Sequence, residues 1–163
     1  MNVRCILFCR NYHGKIRRDA IVRRHSDMVE ISFFAEESDL YRIMDESCSY
    51  AVVICPECDG IRTADLDSAF RNARYLISEE RFWEAHEALE DAWHSLSGKR
   101  KTVVQAMIWI IAAQVHWQMM HADTALIMHE RGIREIRADM RFHYPMTVED
   151  FDSLLNNIRC AGE

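Results

Sequence analysis

The feature that most constrains this chain is a change in its apolar rhythm near residue 55. Before that point the apolar runs are short and rich in β-branched or aromatic residues: 3–8, 20–22, 29–34 and 50–54. Runs of this kind read as strands. Residues 38–46 break the pattern, with Leu40, Ile43 and Met44 at helical spacing. After Cys55-Pro-Glu-Cys-Asp-Gly60 the three- and four-residue spacing of amphipathic helices takes over and persists. The fold class expected is therefore mainly α: a helical bundle of about five helices preceded by a small α/β segment. The expected divisions are residues 1–55 for that segment, 56–62 for a linker and 63–160 for the bundle.

Five helical segments are expected, over 64–77, 79–96, 102–120, 122–140 and 148–159. Thr63, Ser78 and Thr147 stand where N-caps belong. In the fourth segment Ala122, Leu126, His129, Ile133, Ile136 and Met140 form the stripe expected to face the core. Only five glycines and two prolines occur in 163 residues, which suits long helices and short connections and disfavours a turn-rich β-barrel. The most apolar stretch, 103–113, is too short for the roughly 20 residues that span a bilayer. It reads as a core helix.

The formal net charge of −6 conceals a strong asymmetry. Residues 1–24 sum to +6, residues 25–70 to −9 and the remainder to −3. The basic arm contains Arg17, Arg18, Arg23 and Arg24 beside an aromatic, Tyr12. Such a pattern could hold nucleic-acid phosphates; its plain alternative is a solvated strand pair set against the acidic stretch. The first ten residues carry an apolar run too short for a secretory signal. A cytoplasmic setting follows as the expectation, with cysteines as free thiols or metal ligands. Cys55 and Cys58 have a zinc-clasp spacing, but no second C-x-x-C accompanies them.

The second helical segment carries the chemistry. On a wheel, Phe82, Ala85, Leu89, Ala92 and Leu96 share one arc, with His86 and Trp93 at its margin. Glu90 falls one turn above His86, within reach of it, and Glu87 lies further toward the polar side. On the third segment Gln105, Trp109, Ala112 and His116 form one stripe. An antiparallel hairpin turning near Gly98 would bring Gln105 level with Glu90.

These residues support three readings. In the first, His86, Glu90 and His116 ligate a divalent metal such as zinc, iron or manganese, with Glu87 as the general base of a metal-dependent hydrolase. The H-E-x-x-H pattern and the paired E-x-x-H pattern of di-iron bundles are both absent. In the second, the cluster is structural or binds a small ligand or protein, its polar groups satisfying one another and fixing helix register. In the third, the basic arm binds RNA. An enzyme and a non-enzymatic role are both open at this level. Trp109 and Trp117 offer a surface for a homodimer.

The run Phe82-Trp-Glu-Ala-His-Glu-Ala-Leu-Glu-Asp-Ala-Trp93, followed by Gln105-Ala-Met-Ile108, Ala112, Ala113 and His116, resembles the domain of unknown function 309 family over about residues 68–160. The family is similar in its E-A-H-E-x-L-E-x-x-W helix and in a following Q-G-L-I-type helix that ends in A-x-x-H. The resemblance implies a small all-α bundle. It lends significance to Glu84, His86, Glu87, Glu90, Trp93, Gln105 and His116. Two departures stand out. Ala106 replaces a usual Gly, and His121-Ala-Asp123 replaces a usual Gly-Asn pair.

Overall fold

The computed structural model describes residues 2–10, 12, 16–39, 50–54 and 65–138. The chain divides into two compact units, Met1–Ile61 and Arg62–Glu163. Among the described residues no helix is long and apolar enough to cross a membrane. The expected helix at 148–159, the linker 56–62, Thr63, Cys55 and Cys58 lie outside the described residues, as does most of the 38–46 segment.

The first unit holds a four-stranded antiparallel sheet, in the order β2-β3-β1-β4. Its strands are β1 (Asn2–Cys9), β2 (Ile21–Arg24), β3 (Val29–Glu36) and β4 (Tyr50–Ile54). A single 3-10 turn, Glu37–Asp39, follows β3 where the sequence pattern predicts the start of a helix. Strand alternation sorts the sheet into two faces. One is apolar, with Val3, Cys5, Leu7 and Cys9 packed among Ile31, Phe33 and Ala35. The other carries Ile6 and Phe8 beside Ser32 and Glu30, which are fully buried. Cys5 is a free, buried thiol and Cys9 is disulfide-bonded. The free-thiol expectation holds for Cys5 and is corrected for Cys9.

Burial also corrects the basic arm. Arg23, one of the four arginines expected to face nucleic acid, has a side chain only 2% exposed and is ion-paired with Glu30, itself 1% exposed. Its register partner across the β2–β3 ladder is Glu30, which explains the pairing. His25 Nε2 donates to the other carboxylate oxygen of Glu30 at 3.1 Å. The His25 ring stands edge-on to Phe8, with centroids 5.8 Å apart. Arg17 forms a two-pronged pair with Asp19 at 3.1 and 3.0 Å, and its guanidinium lies over the Phe33 ring. Arg18 and Arg24 stay exposed. Alternation along β2 thus divides the arm between the sheet interior and the solvent.

Among the described residues the second unit contains four helices, where the sequence pattern predicts about five in all. They are α1 (Leu66–Ser78), α2 (Phe82–Trp93), α3 (Gly98–Gln118) and α4 (Ala122–Ala138). Asp65 caps α1, accepting from the backbone N–H groups of Asp67 and Ser68. Ser78 does not cap α2; it is the last residue of α1 and donates its hydroxyl to the Tyr75 carbonyl. The chain leaves α1 through Glu80 at φ +55, with Arg81 N–H bonded back to Leu76 O and Glu80 N–H to Ile77 O. This paired closure is the Schellman motif.

The core joins Phe70, Ala73 and Ile77 with Phe82, Ala85, Leu89 and Ala92, and with Val104, Met107, Ile110 and Ile111 of α3. The central helix α3 buries residues on almost every side. Its stripe Gln105, Trp109, Ala112 and His116 is the half-buried edge. In α4 the expected core stripe holds at Ile136 and at Ile133, which packs against the core, and departs in the first turns. Ala125, Gly132 and Ile136 are buried, whereas Leu126 is 53% exposed and Ala122 is exposed. At Gly132 the missing side chain lets the α4 backbone meet α3 closely; a Cβ there would stand 2.8 Å from the Ala106 carbonyl oxygen.

The α3–α4 connection repeats the Schellman closure. His121 N–H bonds to His116 O at 2.9 Å and Met120 N–H to Trp117 O at 2.9 Å, with Met120 at φ +64. A side chain in the left-handed region costs roughly 1 kcal/mol, a cost that glycine escapes. Met120 is 74% exposed, so its side chain buries little in return. Met120→Gly is expected to raise stability by about 1 kcal/mol, read as a higher thermal midpoint. An unchanged or lower midpoint would show that the methionine side chain stabilises the turn.

Candidate functional site

The α2 helix presents its first-turn acid to its own N-terminus. Arg81 occupies the N-cap position without a side-chain cap bond. It folds its guanidinium onto Glu84 instead, with Nε donating to Oε2 at 2.7 Å and a second, shorter bond from Nη2 to Oε1. Both side chains are mostly covered. Glu84 is therefore spent on anchoring the helix start. Arg81 gave a sequence signal at i,i+3 from Glu84 that the motif reading passed over.

His86 stands one half-turn further along. Its Nε2 lies 3.3 Å from Glu90 Oε1 and its Nδ1 lies 3.3 Å from Glu87 Oε1. The Nδ1 atom is buried and makes no well-aligned hydrogen bond, so its contact with Glu87 is electrostatic. One ligand atom from each of His86, Glu87 and Glu90 fits within a mutual 4.8 Å. The imidazole side chain is 20% exposed, Glu87 49% and Glu90 43%. Burial alone would lower the pKa of His86. The contact with Glu87 and the negative charges of Glu90 and Glu87 outweigh it, and the net value stands above that of an ordinary imidazole.

His116, the third ligand expected from the sequence, is not part of this cluster. Trp93 ends α2 with its ring under the Lys101 ammonium, 4.0 Å from the centroid, and its indole N–H is buried without a hydrogen-bond partner. At the other end of the α2–α3 pair Gln118 Nε2 donates to the Glu80 carbonyl at 2.8 Å. These two contacts fix the pair as antiparallel. The expected register, Gln105 level with Glu90, falls between them. Gln105 is half-buried. His116 has the His121 ring as its neighbour, with centroids 5.8 Å apart. Trp109 is roofed by the Arg131 guanidinium at 3.7 Å, while Trp117 remains 53% exposed.

Three groups on one edge of one helix can hold a proton between two carboxylates or, once that proton leaves, a cation. Two donors bound to one ion at about 2.1 Å and a tetrahedral angle stand about 3.4 Å apart. The Nε2–Oε1 separation of 3.3 Å is close to that spacing. A side chain four residues along the same helix face provides it without distortion.

No curated protein and no solved structure matches the chain. Residues 70–128, which hold Glu84, His86, Glu87, Glu90, Trp93, Gln105 and His116, match the model of the family described as Domain of unknown function (DUF309).

Proposed function

We propose that this chain is a helical-bundle binding protein whose ligand at α2 is a divalent cation of the manganese-to-zinc range, held by His86 and Glu90. The observation that carries the reading is the placement of His86: one ring nitrogen faces Glu90, the other faces Glu87, and all three ligand atoms are mutually close. A metal-ligating histidine usually gives its second ring N–H to a carboxylate, which orients the ring. Glu87 Oε1 lies 3.3 Å from that second nitrogen, close enough to take the bond by a small turn of its half-exposed carboxylate, in place of the general-base role that the motif alone allows. Binding is favoured over hydrolysis because the ligands share one helix and both carboxylates are nearly half-exposed. Such a shelf leaves most of the coordination sphere to water, whereas hydrolytic sites hold the ion by three protein ligands in a shaped cavity.

The cation competes with the proton on His86. That proton stabilises α2 fully below the unfolded imidazole value of 6.5, and the effect fades as pH rises through the raised folded value. Metal affinity therefore increases over the same rise in pH. Titration of tag-free protein with Mn²⁺, which thiols bind poorly, is expected to show one site that strengthens between pH 6 and pH 8. His86→Ala should weaken it by about 100-fold or more, and Glu87→Gln by about tenfold. Mn²⁺ binding that is absent at pH 8, or equal in His86→Ala, would sink the reading.

A further inference from the structure

The turn between α3 and α4 carries a second imidazole group that the α2 shelf does not use. His116 sits on the last turn of α3, and His121 follows the helix end. The left-handed Met120 and the bond from His121 N–H to His116 O fold the chain back, so that the two rings come to 5.8 Å between centroids, tilted by 38°. We propose that His116 and His121 form a chelating pair for a first-row divalent transition ion, such as Zn²⁺ or Cu²⁺, at the C-terminal end of α3.

Three observations carry it. Two imidazoles on one tetrahedral ion, with metal–nitrogen bonds near 2.0–2.1 Å, have ring centroids about 5.2 Å apart. The observed separation exceeds that by roughly half an ångström, within reach of a small rotation of the exposed His121 ring. The site also lies at the C-terminal end of a 21-residue helix, where the helix dipole favours positive charge. Finally, His116 keeps a buried Nδ1 with no hydrogen-bond partner, so the protein leaves one ring nitrogen of this pair unsatisfied. Burial, and then the neighbouring His121, push the His116 pKa below the ordinary value. Its ring is therefore neutral near pH 7, the form that ligates metal. Two nitrogen donors select ions toward the copper end of the series, unlike the mixed nitrogen–oxygen α2 shelf.

The test uses the full tag-free chain and Zn²⁺ alone, followed through the ring C–H resonances of the individual histidines. The expected result is that His116 and His121 shift together along one saturating curve, and that His121→Gln weakens the His116 response by at least about tenfold through loss of the chelate. His86→Ala should leave both responses unchanged. Because His121 is exposed, His121→Gln is expected to keep the fold, and an unchanged melting temperature without metal checks this. Zn²⁺ that shifts neither ring, shifts one alone, or acts equally on the His121→Gln protein overturns the proposal.

Discussion

Arg23→Met is expected to cost the N-terminal sheet about 3–5 kcal/mol, because it strands the Glu30 carboxylate inside the protein. Arg23 and Glu30 are only 2% and 1% exposed, and they face each other across the β2–β3 ladder. After the substitution His25 still donates to Glu30, but the guanidinium that faced the buried carboxylate is gone. The double variant Arg23→Met with Glu30→Met should recover most of the loss, since an apolar pair of similar size removes both charges together. Hydrogen exchange of the β3 amides in increasing urea reads the sheet directly. A loss below about 1 kcal/mol in the single variant would mean that the carboxylate reaches water. Acid offers a second check. Burial would raise the pKa of Glu30, but the His25 hydrogen bond and the Arg23 charge outweigh it and hold the value below the usual carboxylate range. The stability Glu30 contributes is thus complete above the unfolded value of 4.5 and is lost as pH falls through the lowered folded value.

That ion pair also shows where sequence reading stops. The strands of the first unit were legible because alternation and β-branched runs are local signals: all four expected runs coincide with β1 to β4 to within two residues at each end. The burial of Arg23 was not legible, because a charge run looks the same whether its alternate members face solvent or a partner strand. Only the β2–β3 register, which pairs Arg23 with Glu30, decides it.

The bundle divides in a similar way. The α2 wheel correctly put Phe82, Ala85, Leu89 and Ala92 in the core and His86 at its margin, and it brought Glu90 within reach of His86. Both marks follow from helical geometry within a single element. The pairing of His116 with His121 depends instead on a reversal of the chain at a non-glycine residue in the left-handed region, which no propensity announces. The helix starts shifted for a related reason. Ser78 and Thr63 are good capping residues by type, yet Asp65 caps α1 with two accepted backbone bonds, and α2 begins after a Schellman turn that needs no side chain.

Gly132→Ala should destabilise the helical unit by about 2–3 kcal/mol, opposite in sign to the usual effect of this change inside a helix. Alanine normally gains about 1 kcal/mol over glycine there, by restricting the unfolded chain. At Gly132 a Cβ would stand 2.5 Å from Ile110 Cγ1 and 2.8 Å from the Ala106 carbonyl oxygen. A side chain can turn aside, but a backbone oxygen inside α3 moves only if the helix does. The α3–α4 distance must then grow, which loosens Ile110, Met107 and Ile136 in the core and slides Arg131 off the Trp109 face. The measurement is a urea midpoint with tryptophan emission, in which Trp109 should redden before the global transition. Ala106→Gly in the same chain relieves no clash with the carbonyl, since that oxygen belongs to the backbone, and is expected to add its own loss and leave the Gly132→Ala defect in place. A Gly132→Ala protein as stable as the parent would mean that α4 is free to lift from α3.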